Sequence, residues 1–259
     1  MKAVILCGGR GTRLREETEQ KPKPMIQVGP KPILWHIMKT YAAAGITDFV
    51  LCLGYKGDVI KEYFLQYEAM NADFTVTLGR AAQIEFHAPH AEVGWRVTLA
   101  DTGPDAMTGA RVKRVQKYVG GERFCLTYGD GLSDVDLRAL LRFHEAQGAI
   151  GTVTGVRPPG RFGELAVDGH RVESFTEKPP ASGGLINGGF FVFEPRFFDY
   201  LDSSDSCVLE RAPLESLSRE GQLRVYRHDG FWQCVDTFRD YELLNGLWAS
   251  GAPPWRTWE

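Results

Sequence analysis

The chain has no surplus of charge of one sign, no long apolar run and no cysteine pattern, and each absence removes a class of function. Its 30 basic and 33 acidic residues give a formal net charge of −3, so no general basic field attracts nucleic acid or an anionic membrane surface. No apolar stretch approaches the roughly eighteen residues of a membrane span. The five cysteines, at 7, 52, 125, 207 and 234, are odd in number and include no Cys-x-x-Cys pair, which excludes a disulfide framework or a zinc knuckle and fits reduced thiols. The first apolar run starts at Ala3, leaving no room for a signal peptide, and the expected location is the cytoplasm. The six histidines form no recognisable catalytic or metal-ligand set; His87 and His90 have no third ligand nearby and read as loop residues. Internal repeats are also missing.

What is present is a chain of 259 residues, 43% of them hydrophobic, enough to bury a proper core. Ala3-Val4-Ile5-Leu6 reads as a buried strand, and Cys7-Gly8-Gly9-Arg10-Gly11-Thr12-Arg13-Leu14 as the glycine-rich turn that follows it. Glycines let backbone amides approach an anion closely, and Arg13 adds a fork of donors suited to phosphate oxygens. The dinucleotide fingerprint would align Gly9 and Gly11 but requires a small residue where Leu14 stands, and no Gly-Lys-Ser/Thr of a P-loop occurs. Lys21-Pro22-Lys23-Pro24-Met25 is a stiff arm that can hold an ammonium group still.

The order of elements then points to an α/β fold, with a mixed, mainly parallel Rossmann-like sheet covered by helices on both faces. A helix is expected from Pro32 through Tyr41 to a cap at Gly45, a strand over Phe49–Leu53, and a second helix through Ile60 and Phe64. Phe74–Leu78 and Arg96–Ala100 read as strands, with the stretch between them unassigned. Met107–Tyr118 reads as a helix, Phe124–Tyr128 as a buried strand closed by Gly129-Asp130-Gly131, and Val135–Gln147 as a helix ended by Gly148. Shorter strands follow at Gly151–Val156, Gly163–Val167, Val172–Thr176 and Leu185–Phe193. The expected organisation is one domain over 1–259, with a nucleotide-binding lobe at 1–131 and a second lobe at 132–259 that completes the same sheet. The tail from Ala252 to Trp258 is too aromatic for a free terminus, so it packs on the body or on another subunit. In open parallel sheets ligands gather at the carboxyl ends of strands, where both the first glycine turn and Asp130 fall.

Leu6-Cys7-Gly8-Gly9-Arg10-Gly11-Thr12-Arg13-Leu14 resembles the Gly-Gly-x-Gly-Thr-Arg-Leu signature of the sugar nucleotidyltransferases, and Lys23 falls at their signature lysine. Further matches are Gly129-Asp130-Gly131, Phe175-Thr176-Glu177-Lys178-Pro179 and Ile186-Asn187-Gly188-Gly189-Phe190. Within that family the chain is most similar to the glucose-1-phosphate cytidylyltransferases. The residues behind the narrower resemblance are Lys21–Met25, Pro32–Lys39, Pro158–Gly163 and Asp229–Gln233. Cys7 departs from the usual alanine, Cys234-Val235 departs from the common Pro-Met before Asp236, and 79–95 matches poorly.

The resemblance implies CTP and glucose 1-phosphate as substrates, Mg²⁺ as cofactor and a homo-oligomer as the assembly. It implies that the backbone of 6–12 wraps base, ribose and phosphates, with Ala106, Tyr128 and Gly129 at nucleotide contact positions, and that Arg13 holds the leaving pyrophosphate. Lys23 is the implied bridge between attacking and α-phosphoryl groups, Asp130 and Asp236 are the implied metal ligands, and Lys178 grips the sugar phosphate while Glu177, Asn187 and Gly188 read sugar hydroxyls. Arg111 either donates to cytosine O2 or to a phosphate, or is a surface arginine at a helix start; the sequence leaves both open. Chemistry gives independent support. A sugar 1-phosphate is already an anionic nucleophile, so the reaction needs charge neutralisation and alignment more than a general base, and lysine, arginine and a hard cation meet that need better than histidine.

Overall fold

Strands buried on both faces must read as unbroken apolar runs, and the runs at 3–6, 49–53 and 124–128 lie side by side in the middle of a seven-stranded sheet. The computed structural model describes residues 1–9, 11, 19, 21–79, 83–87, 90–158, 164–168, 171–176 and 184–258. Its strands are β1 (Lys2–Leu6), β2 (Gln27–Val28), β3 (Lys31–Pro32), β4 (Asp48–Leu53), β5 (Phe74–Thr77), β6 (Gln83–Phe86), β7 (Arg96–Asp101) and β8 (Phe124–Tyr128). Then come β9 (Gly131–Ser133), β10 (Gly151–Val156), β11 (Glu164–Asp168), β12 (Arg171–Thr176), β13 (Ile186–Phe193), β14 (Leu223–His228) and β15 (Trp232–Cys234). The α-helices are α1 (Ile33–Ala43), α2 (Gly57–Leu65), α3 (Tyr67–Asn71), α4 (Thr108–Arg114), α5 (Gln116–Val119), α6 (Leu137–Gln147), α7 (Ala212–Arg219) and α8 (Phe238–Ala249).

The sheet order is β14-β10-β13-β8-β1-β4-β7. The pairs β1–β4, β1–β8, β4–β7 and β10–β14 are parallel, and β13 alone runs against its neighbours. The expected mixed, mainly parallel α/β fold is the one observed. Successive residues of β1 point to opposite faces: Ala3 and Ile5 enter a core formed with Ile33, Ile37 and Tyr41 of α1, while Val4 and Leu6 enter a second core with Ala110, Val112 and Val119 of α4 and α5. Because β8 lies on one side of β1 and β4 on the other, the chain leaving β1 sits where the connections diverge, the usual ligand crevice of an open α/β sheet.

Local signals explain most boundaries. Helix α1 starts directly after Pro32 and ends before Gly45 at φ +88, a left-handed position that glycine takes without a Cβ clash. Helix α6 starts where the Asp136 side chain accepts from Ala139 N–H at 2.9 Å and stops at Gly148, φ +59. The expected helix over Met107–Tyr118 is broken at Val115 into α4 and α5. The stretch left open between the strands at 74 and 96 contains β6, which pairs with β5 as an antiparallel hairpin. The tail packs on the body: Trp255 is fully buried and donates its indole N–H to His36 Nδ1 at 3.4 Å. Among the described residues no helix is long and apolar enough to cross a membrane.

Candidate active site

Strand β1 carries the chain to the crevice and the main chain continues the ladder past its end. Cys7 N–H donates to Cys52 O at 3.0 Å, and Gly129 N–H donates to Leu6 O at 3.1 Å. Gly129 is a glycine for a local reason. A Cβ there would stand 2.8 Å from Leu6 O and 2.9 Å from Pro24 Cγ, so only glycine admits the Lys23-Pro24 arm against the end of β8. That arm is a single 3₁₀ turn, Lys23–Met25, with Pro24 and Met25 buried beneath it.

Lys23 projects from this turn into the crevice, where Nζ donates to Asp130 Oδ2 at 2.6 Å and to Asp236 Oδ1 at 2.7 Å. Two carboxylates far apart in sequence therefore converge on one ammonium. The antiparallel pair β9–β15, which matches Gly131 with Cys234, brings them together, and Val235 N–H donates to Asp130 O at 2.9 Å. Burial alone would lower the Lys23 pKa, but the adjoining Asp130 and Asp236 carboxylates outweigh it and raise the pKa above the ordinary lysine value. Lys23 stays charged. A third aspartate, Asp240, holds the loop: its carboxylate accepts Asp236 N–H at 3.1 Å, Thr237 N–H at 2.8 Å and Gln233 Nε2 at 3.0 Å. Asp240 is also the acidic partner of the capping box that opens α8. No site motif in the sequence includes it, although Thr237-x-x-Asp240 is a readable capping signal.

Two cavities meet at Asp130. One, of about 320 Å³, is lined by Leu6, Gly8, Gly9 and Gly11 and by Ala106, Arg111, Tyr128 and Gly129, with Lys23 and Asp130 at its edge. The other, of about 190 Å³, is lined by Tyr128, Asp130, Gly188, Trp232 and Asp236. Asn187 adjoins the second, its Nδ2 donating to the Tyr128 hydroxyl at 3.1 Å. Cys7 is fully buried beneath the glycine loop and contributes no surface to either cavity. Arg10, Thr12, Arg13, Glu177 and Lys178 lie outside the described residues. A larger cleft of about 520 Å³ opens beyond Trp232; of its lining residues, Arg157 pairs with Asp229 at 3.0 Å, and His228 Nε2 lies 2.9 Å from Asp134 Oδ1 outside the lining.

Arg111 is not a surface arginine. Only 5% exposed, it donates through Nη1 to Leu53 O at 3.0 Å, Thr102 Oγ1 at 2.9 Å and Gly103 O at 2.7 Å. Through Nη2 it donates to Gly8 O at 3.1 Å and Pro104 O at 3.3 Å. Burial lowers its pKa. One guanidinium thus ties the glycine loop to the ends of β4 and β7. Any Cβ on Gly8 or Gly54 would collide with it, so those glycines make room for the arginine.

Asp130 and Asp236 fit a hard cation. Two carboxylate oxygens within reach of a single point, flanked by cavities open to phosphate and water, match the sparse protein ligation that Mg²⁺ accepts. Among the described residues no set of three or more metal-ligating side chains gathers.

A crevice at the switch point of a mainly parallel sheet, with glycine loop, lysine and paired aspartates, defines a nucleotide-handling α/β protein. The chain belongs to the nucleotidyl transferase family, whose model matches residues 2–245. It is 52% identical to the glucose-1-phosphate cytidylyltransferase of Salmonella typhi and 44% identical to the probable glucose-1-phosphate cytidylyltransferase of Bacillus subtilis (strain 168), in each case over 100% of both chains. In fold it resembles the crystal structure of a putative glucose-1-phosphate thymidylyltransferase from Bacillus anthracis, at a TM-score of 0.68 and 20% identity over 95% of this chain and 94% of that one.

Proposed function

We propose that the protein condenses CTP with glucose 1-phosphate to give CDP-glucose and pyrophosphate. The observation that carries the reading is Lys23 held between Asp130 and Asp236 at the meeting point of two cavities. The full-length likeness to glucose-1-phosphate cytidylyltransferases supports the choice of base and sugar.

On this reading the cavity at the glycine loop takes the nucleotide, within a nucleotide-binding lobe of 1–131, and the cavity at Gly188 takes the sugar phosphate, within a lobe of 132–259. A phosphate oxygen of glucose 1-phosphate attacks the α-phosphorus in line with the leaving pyrophosphate. The nucleophile is anionic at the start, so no base is required, and the cost lies in bringing two anions together. Lys23, kept protonated by its carboxylate neighbours, meets that cost at the junction. Arg13 neutralises the leaving pyrophosphate and Lys178 the sugar phosphate, while Glu177, Asn187 and Gly188 read the sugar hydroxyls. Tyr128, shared by both cavities, keeps the two substrates on one line. Asp130 and Asp236 would hold Mg²⁺, which when bound supplies charge neutralisation to the triphosphate.

The working form is a cytoplasmic homo-oligomer. The β5–β6 hairpin supports this assembly, since it leaves Phe74, Val76, Ile84 and Phe86 exposed, an apolar surface of the kind that partners cover. Pyrophosphate release measured with CTP, UTP, dTTP and GTP at fixed glucose 1-phosphate tests the reaction. CTP should be preferred; equal rates with all four would refute the assignment of the base.

A further inference from the structure

Tyr128 belongs to both cavities, and its hydroxyl has one hydrogen to donate and lone pairs to accept with. It donates to Glu210 Oε1 at 2.6 Å and accepts from Asn187 Nδ2 at 3.1 Å. An ionised carboxylate only accepts, so Glu210 compels the phenol to point its hydrogen that way and to turn a lone pair to Asn187. The amide of Asn187 must then face the tyrosine with its nitrogen, while its Oδ1 accepts Gly189 N–H at 2.8 Å. Both ends of the amide are fixed. Glu210 is anchored through its other oxygen, since Thr108 Oγ1 donates to Oε2 at 2.7 Å and itself accepts Leu209 N–H at 3.0 Å.

The ring is held as firmly as the hydroxyl. Gly189 has φ +82, and a Cβ there would stand 2.7 Å from Tyr128 Cδ2; Phe191 meets the ring edge-on at 6.0 Å.

We propose that Glu210 is a positioning residue for sugar recognition, setting the polarity of a Glu210–Tyr128–Asn187 relay that fixes the direction in which Asn187 meets the sugar phosphate. The inference rests on the proposed assignment of Asn187 to the sugar side. Glu210 lies in the loop ahead of α7, outside every motif in the sequence.

Replacing Glu210 tests the relay. Glu210→Ala should raise the KM for glucose 1-phosphate about ten-fold, the equivalent of about 1.4 kcal/mol, and leave kcat and the KM for CTP within about two-fold. Glu210→Gln keeps an acceptor but adds a donor that lets the polarity reverse, so an effect of about three-fold is expected. In an Asn187→Ala background, Glu210→Ala should add less than about two-fold, because the two changes interrupt one network. Full additivity, or a change confined to the KM for CTP, would overturn the proposal. The side-chain amide resonances of Asn187 in the unliganded protein give a second reading that needs no substrate. They should shift alike in Glu210→Ala and in Tyr128→Phe, the latter cutting the relay at its middle. Resonances unmoved in both variants would overturn the relay itself; a shift in a protein that does not turn over glucose 1-phosphate would overturn the sugar role alone.

Discussion

In the half of the sheet built by β8, β1, β4 and β7 every strand runs the same way, and the cavity at the strand ends includes the glycine-loop residues Gly8, Gly9 and Gly11 in its lining. In the half built by β13, β10 and β14 one strand is reversed, and the adjoining cavity is walled by Trp232, Asp236 and Tyr128, side chains brought from distant segments. A triphosphate offers many equivalent oxygens, which converging amides can meet. A sugar offers hydroxyls of fixed direction, which need side chains of fixed direction. On the proposed function, the first half would hold charge and the second would read shape.

The sharpest way to break this division is at the point common to both halves. Lys23→Ala and Asp236→Asn should each lower kcat by about a hundred- to a thousand-fold, whichever substrate is varied. A loss seen only as a higher KM for one substrate would move the residue out of the junction and into one half.

The tail blurs the comparison, because it comes last in sequence yet packs on α1 of the first half. His36 there is fully buried, its Nε2 bonded to Val28 O at 2.8 Å and its Nδ1 accepting from Trp255. Burial, against two backbone contacts that favour the charge, pushes its pKa down to about 4. The unfolded chain has the higher histidine pKa and binds the proton more readily. Stability should therefore be full above the unfolded pKa near 6.5 and decline as pH falls from there through about 4, by about 3 kcal/mol in all. Urea denaturation at stepped pH measures this, and His36→Gln should flatten the curve between those limits.

Two glycine substitutions sharpen the contrast. Gly8→Ala sets a methyl group against the Arg111 guanidinium and should cost about 1–3 kcal/mol of stability, with the KM for CTP rising and that for glucose 1-phosphate unchanged. Gly189→Ala, at φ +82, should cost about 1–2 kcal/mol and raise the KM for the sugar phosphate instead. Steady-state kinetics that showed the same profile for both would dissolve the division.

The first half was the more legible in the sequence, for a physical reason. Its central strands β1, β4 and β8 are mostly apolar runs, and its glycine loop, Lys23 and Gly129-Asp130 lie within short motifs, so local pattern states the local role. In the second half β14, β15, α7 and α8 were not anticipated from the sequence. Leu223–His228 alternates exposure along an edge strand, and β15 has three residues whose pairing with β9 is a long-range event. Arg111 was legible only as a candidate, since a motif shows a charge but not that five acceptors, four of them main-chain carbonyls, surround it. Glu210 carried no signal, because nothing near it in sequence hints at Tyr128 across the fold.

The single guanidinium of Arg111 also bears on how the protein breathes. The segments at Gly8, Leu53 and Thr102–Pro104 each end a different strand, and each would otherwise fray on its own. With one side chain from α4 bonded to all three, opening any of them removes a partner from the shared hub and leaves buried donors without acceptors. Amide hydrogens around the glycine loop should accordingly exchange with solvent as one cooperative group, at a common rate slower than loop position alone would give, and Arg111→Ala should split that group into separate and faster ones.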